Sequence, residues 1–215
     1  MKTRDLKETC RFVVFDVETT GLSPRTGDRM IEIGALKVEI PLVTVPDSGM
    51  KALDARKMKK GRKFSTLLKV DRDVSYGAFM VNGITPAMLR TAPRAETVLP
   101  EFLKFIDGAC LIGHNVRFDL GFLVHELSIL GLKLPETDFL DTVRLARYLV
   151  PELRRYSLIS MIHFLEIGQV QEHRAMSDVE LTYQVFRSLL NIADRRDLCT
   201  HTDLLRLCGG RHAGR

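Results

Sequence analysis

Arg11-Phe-Val-Val-Phe-Asp-Val-Glu-Thr-Thr-Gly-Leu22 is the stretch that decides how this chain folds. Phe12, Val13, Val14 and Phe15 are β-branched or aromatic, the residue types that suit a pleated strand. A run apolar at every position, not at alternate ones, fits a strand covered on both faces. Two carboxylates then interrupt it. Asp16 and Glu18 are two positions apart, so an extended backbone points both side chains to one face. Buried anions that close repel each other and lose hydration unless something compensates. A divalent cation would do so, although Asp-x-Glu at a strand end also occurs as a plain solvated exit. Gly21 frees the backbone for a tight turn.

The surrounding chain has the composition of a globular enzyme-sized domain. Its 215 residues are 45% hydrophobic and 27% charged, enough for one core. No apolar run reaches membrane-spanning length, and Met1–Glu8 lacks a signal-peptide apolar region, which predicts a cytoplasmic protein with no membrane partner. Cys10, Cys110, Cys199 and Cys208 form no CxxC pair and read as reduced thiols, neither zinc ligands nor a disulfide frame. The net charge of +5 permits a polyanionic partner. Its distribution says more. Lys51, Arg56, Lys57, Lys59, Lys60, Arg62 and Lys63 crowd one segment, relieved only by Asp54. That segment reads as a solvated loop or short helix, or as a contact to phosphate backbone.

Outward from the first strand, Met30–Ile40 has strand alternation and is broken by Pro41. Phe64–Val70 reads as a third strand, completing a meander around the basic insert at about 41–63. Ala95–Ile106 has a helical apolar face, Cys110–Gly113 reads as a short buried strand, and Val116–Leu130 returns to helical spacing up to Gly131. Phe139–Asp141 is the last strand and Thr142–Leu149 a helix. Ser157 and Ser177 read as N-caps, the second for a helix over Asp178–Asn191. The segment after Gly209 reads as frayed. Strands first, then strands alternating with helices, predict an α/β fold with a mixed five-stranded sheet and helices on both faces. The whole chain, 1–215, reads as one domain with its core at about 11–192 and a short C-terminal tail.

Three further groups sit where elements begin. Asp119 falls in the first turn of its helix, where negative charge is favoured by the dipole, yet Phe118, Leu120 and Phe122 surround it. His173 lies on a loop, and Asp178 opens the last long helix. Each alone is an ordinary surface or helix-start residue. Their combination with Asp16 and Glu18 is a pattern. Phe15-Asp-Val-Glu-Thr-Thr-Gly-Leu22, Asn82-Gly-Ile-Thr85, Gly113-His-Asn-Val-Arg-Phe-Asp-Leu-Gly-Phe-Leu123 and His173-Arg-Ala-Met-Ser-Asp178 together resemble the motifs of the DEDDh 3′→5′ exonuclease family. That family has the ribonuclease H-like fold and includes the proofreading subunit of bacterial DNA polymerase III, ribonuclease T and oligoribonuclease. The resemblance runs from about Phe12 to Asn191. His173, standing where another branch has Tyr, points to the His branch. The basic insert has no counterpart.

The resemblance implies catalytic residues Asp16, Glu18, Asp119, His173 and Asp178. The four carboxylates would hold two divalent ions, Mg²⁺ or Mn²⁺, since an oxygen-only ligand set favours hard cations. Asp16 would bridge both ions, with Glu18 and Asp178 on one and Asp119 supporting the other. His173 would be the general base, a role that suits an imidazole near neutral pH. Val17, Thr19, Thr20, Leu22, His114, Asn115 and Phe118 would contact substrate, with Leu22 as an apolar wedge between terminal bases. Leu22 and Phe118 read equally well as core. The implied partner is nucleic acid with a free 3′ end, single-stranded DNA first, with DNA polymerase association as a further partner. An exoribonuclease is the alternative; a binding module with a dead site conflicts with five intact catalytic positions. The short segment after Asn191 favours a free-standing repair or trimming enzyme over a polymerase accessory subunit.

Overall fold

A computed structural model describes residues 9–44, 50–168, 171–198 and 200–214. The first strand, β1 (Thr9–Thr19), is central. It pairs antiparallel with β2 (Met30–Thr44) and parallel with β5 (Cys110–Gly113). β5 pairs parallel with β6 (Thr137–Asp141), and β6 antiparallel with β7 (Gly209–His212). β3 (Lys51–Leu53) and β4 (Lys59–Leu67) share the outer edge of β2.

The continuous apolar run of β1 is explained by two cores. Phe12 and Val14 pack into one, with α5 (Thr142–Leu149), α6 (Leu158–Phe164), α7 (Ala175–Asp194) and α8 (His201–Cys208) on that face. Val13, Phe15 and Val17 pack into the other, against α3 (Ala95–Ile106) and α4 (Arg117–Ile129). Both faces of the sheet are covered, as the sequence predicts. Two short helices, α1 (Tyr76–Asn82) and α2 (Pro86–Arg90), lead from β4 to α3. No described helix is long and apolar enough to cross a membrane. Cys110 and Cys208 are buried free thiols; Cys199 and Met1–Glu8 lie outside the described residues.

Several expectations change. The described residues form a seven-stranded sheet, not a five-stranded one. The five expected strands (β4, β2, β1, β5, β6) make its centre, and β3 and β7 are additions. Pro41 does not end β2: its position needs only a carbonyl, which accepts the Asp54 N–H at 2.9 Å. The third strand begins at Lys59 and ends at Leu67, so Lys59, Lys60, Arg62 and Lys63 lie on strand, while Arg56 and Lys57 fall in a short 3-10 helix, Ala55–Lys57, in keeping with the short-helix reading. A bulge between Leu36 and Val38 turns both Lys60 and Lys63 toward Glu180 of α7, Lys63 at 2.8 Å. Lys57 pairs with Asp54 at 2.9 Å. Lysines along an exposed edge strand also discourage pairing with another chain. The residues after Cys208 form β7 on the β6 edge, not a frayed end.

The helix expected from Asp178 starts at Ala175, and Ser177 does not cap it. Its first N–H, from Ala175, is instead bonded to the Glu32 carboxylate of β2 at 3.1 Å. A cap supplied from 143 residues away leaves no local signal. Gly34 permits this docking. A Cβ there would come within 2.7 Å of the Ala175 carbonyl carbon and the Met176 nitrogen. Gly34 is the cross-strand partner of Asp16, so the close approach of α7 carries Asp178 to the first strand.

Candidate active site

Asp16 and Glu18 leave β1 on the α7 face, beyond the last residue pair with β5 (Val14 and Ile112). Carboxylate oxygens of Asp16, Glu18 and Asp178 lie within 4.8 Å of one another. Past the end of β5 the Val17 N–H has no strand partner, and Asp119 takes it at 3.0 Å. Asp119 thus enters from the opposite side of Asp16 to Asp178. Sequence positions 16, 18, 119 and 178 converge on one end of the sheet.

These acids are in conflict without a counter-charge. Burial, then the charges of Asp119, Glu18 and Asp178, push Asp16 well above the usual carboxylate range. Burial pushes Glu18 and Asp119 up to about 8 each, and Asp178 rises for the same reason. Asp178 Oδ1 is buried and, among the described residues, has no hydrogen-bond partner; Oδ2 accepts from Gln171 at 2.7 Å. Crowded, desolvated oxygen donors with an unused lone pair fit a hard divalent cation.

His173 sits at the rim, its side chain about half exposed, with Nδ1 4.0 Å from Asp178 Oδ2. Its φ of 51° is left-handed, an unfavourable region for a residue with a Cβ. The next residue holds it there. Arg174 makes a two-pronged bond to Glu32, at 3.0 and 2.6 Å. Glu32 is buried opposite Glu18 in the β1–β2 ladder. This pair fixes the His173 loop and the start of α7 at once. Sequence reading missed it; the available signal was Arg174 next to His173, but its partner lay on a distant strand.

The candidate substrate residues divide by what remains free on them. Leu22 is 87% exposed, which removes the core-packing reading. Phe118 is half-buried with its ring 5.0 Å from Phe122. Asn115 is exposed in a left-handed conformation, φ 66°, its N–H given to Asp141. Thr19 is buried; its carbonyl accepts from Asn82. Val17 has a buried side chain and an N–H committed to Asp119. Thr20 is fully buried. Its N–H and hydroxyl bond Arg29, and its carbonyl accepts from Ser75, so it builds the turn and presents no free group. His114 has both ring nitrogens engaged, with Thr142 Oγ1 at 2.9 Å and the Tyr156 carbonyl at 2.8 Å. Burial lowers its pKa, so the neutral ring donates through Nε2 to Tyr156.

Next to the acids opens a cleft of about 740 Å³, lined by Asp16, His173, Asp178, Asn115, Arg147 and Tyr156 among others.

The sequence from 13 to 186 matches the family model described as Exonuclease. The chain belongs to that family, in its DEDDh 3′→5′ exonuclease branch. Over 185 residues it is 34% identical to the DNA polymerase III subunit epsilon of Rickettsia typhi, covering 83% of this chain and 73% of that one. It is 34% identical over 180 residues to the 3′-5′ exonuclease DinG of Bacillus subtilis, covering 84% of this chain but 18% of DinG. The chain thus spans under a fifth of that longer relative. Among solved structures, E. coli Exonuclease I in complex with a dA16 oligonucleotide superposes with a TM-score of 0.66 at 20% identity, over 86% of this chain and 42% of that one. That likeness shows a shared mixed α/β fold of the ribonuclease H-like type. The family is one of metal-dependent nucleases.

Proposed function

We propose that the protein hydrolyses phosphodiester bonds one nucleotide at a time from the 3′ end of DNA, releasing nucleoside 5′-monophosphates. The observation that carries this reading is the meeting of Asp16, Glu18 and Asp178 within 4.8 Å, with Asp119 on the far side of Asp16. DNA is supported by the polymerase subunit relative and by the oligonucleotide held by Exonuclease I. An open cleft at the rim of the acids suits an unpaired strand end. We read residues 1–215 as one exonuclease domain in a cytoplasmic replication or repair setting, where a DNA polymerase is a fitting partner.

Asp16, Glu18 and Asp178 would hold one divalent ion, with Asp16 and Asp119 holding a second; Mg²⁺ or Mn²⁺ suits an all-oxygen set. Bound there, such ions supply Lewis-acid stabilisation of charge developing on phosphoryl oxygens. The chain's own groups do the rest. His173, at the cleft rim beside Asp178, takes a proton from the attacking water. The water oxygen forms its bond to phosphorus as the bond to the 3′ oxygen breaks; that oxygen takes a proton from solvent and leaves as the 3′ hydroxyl of the shortened strand, and His173 gives its proton back to solvent. The Glu32–Arg174 pair keeps His173 at that rim. Leu22, exposed and free of the core, would part the terminal bases, with Asn115 on the cleft lining and Phe118 as further contacts.

The test is parallel digestion of single-stranded DNA, mismatched duplex DNA and RNA of one sequence. Faster shortening of single-stranded DNA supports the reading. Preference for RNA, which requires contacts to the 2′ hydroxyl, would replace it with an exoribonuclease.

A further inference from the structure

The cleft beside the acids has an acidic floor, Asp16 and Asp178, and a wall that carries one fixed positive charge, Arg147. Arg147 projects from α5 and is exposed. Among the described residues no carboxylate pairs with it. Its guanidinium lies over the Tyr156 ring, 5.6 Å from the centroid. Tyr156 is a built platform. Its hydroxyl donates to the Val150 carbonyl at 2.9 Å, and its own carbonyl is held by His114 at 2.8 Å. His114 is tied in turn to Thr142 at the start of α5. The ring is therefore fixed to the same helix that carries Arg147. A guanidinium stacked on a fixed ring keeps its donor edge free, in a plane that matches two phosphate oxygens.

We propose that Arg147, propped on Tyr156, binds the phosphate immediately 5′ of the one being cleaved, and that His114 is a positioning residue for this platform. The inference rests on the exonuclease reading above. A strand entering the cleft brings one phosphate to the carboxylate cluster and the next to the wall. That second phosphate reaches the wall, beyond the carboxylates and the ions they would hold, and needs a cation of its own. Arg147 is the residue placed to supply it.

The experiment compares substrates with and without a second phosphate. One is a DNA trinucleotide; the other is the p-nitrophenyl ester of thymidine 5′-monophosphate, which has a single phosphorus. Arg147→Gln should raise KM for the trinucleotide about tenfold, the usual effect of losing one charge-assisted contact. Turnover of the ester should stay within about twofold, and Arg147→Lys should recover part of the loss. A trinucleotide carrying an uncharged methylphosphonate at its 5′ linkage, the one next to the scissile linkage, should show the same KM penalty in the wild type and little further penalty in Arg147→Gln. Melting temperature checks the fold, which an exposed, unpaired Arg147 does not support. Equal losses on ester and trinucleotide, or a methylphosphonate penalty that survives in Arg147→Gln, would overturn the assignment. A wild type that turns over the ester but is indifferent to the second charge removes this inference and leaves the exonuclease reading standing. A wild type inert to both substrates removes both.

Discussion

Raising the pH of the metal-free protein from 6.5 to 8 should destabilise it, and a divalent cation should restore the loss. Glu18 and Asp119 have folded-state pKa values of about 8, against ordinary carboxylate values near 4. Above about pH 6 the unfolded chain has lost these protons while the folded chain keeps them. Folded protein then binds more protons than unfolded, so stability falls as pH rises through the folded values. Integrated over this window, a pKa near 8 gives about 1.6 kcal/mol for each group and about 3 kcal/mol for both. Asp16 and Asp178, also raised, act in the same direction. His114 acts the other way, because a depressed histidine loses its stability penalty as pH rises, but only below about 6.5. The buried thiols, Cys208 pushed up to about 12, add the falling sign only above about 8.5. The window from 6.5 to 8 isolates the carboxylates. For a chain of 215 residues, 3 kcal/mol is a fall of about 6–12 °C in Tm. Thermal melts in EDTA across this window measure it. Repeating them with Mg²⁺ at about a hundred times its Kd should return about 2.7 kcal/mol. A flat Tm in EDTA, or no recovery with Mg²⁺, Mn²⁺ or another divalent ion, would refute the picture of crowded acids awaiting a cation.

His173→Ala should lower the rate by about two to four orders of magnitude, the range for losing a positioned base, with metal affinity by calorimetry retained; collapse of that affinity would make His173 a ligand instead. Arg174→Ala leaves Glu32 buried and bound only by the Ala175 N–H, so urea unfolding should show a loss of about 2 kcal/mol, less than the roughly 3–5 kcal/mol for a fully buried pair because Arg174 is partly exposed; a change below about 0.5 kcal/mol would mean the pair is not a clamp. EDTA should stop hydrolysis, with Mg²⁺ or Mn²⁺ restoring it; full activity with Zn²⁺ alone would contradict the oxygen-ligand argument.

The sequence showed most of what depends on local pattern. The run Phe12–Phe15 shows a strand covered on both faces, and the helix over Ala95–Ile106 has the bounds its apolar spacing predicts. What depended on partners far along the chain was hidden. Glu32 caps α7 across the sheet, so Ser177 looked like a cap it is not. The Gly209–His212 strand is polar and short, and it is defined by its pairing with β6. The basic insert read as loop or short helix because lysines are poor strand residues; its strand portion is held against β2 by Glu180 on α7 and the rings beneath Phe64. At the site, spacing put Asp16 and Glu18 on one face of a strand, but the same spacing suits a solvated strand exit, and only the later motifs weighed against that. Asp119, His173 and Asp178 became legible only as a pattern, since each alone looks like an ordinary helix-start or loop residue. Arg147, Tyr156 and Glu32 carry no motif and appear only in three dimensions.

Digestion of a 5′-labelled single-stranded DNA by wild type and by Asp16→Ala, in Mg²⁺ or Mn²⁺, tests the central claim most directly. Wild type should shorten the strand stepwise from its 3′ end and release nucleoside 5′-monophosphates, with oxygen from labelled water in the product phosphate. Asp16→Ala should release none, while its Tm in EDTA at pH 8 holds or rises, because one of several repelling anions is gone. Substantial stepwise release by Asp16→Ala, with its fold intact, would contradict the assignment of this carboxylate cluster as the hydrolytic centre.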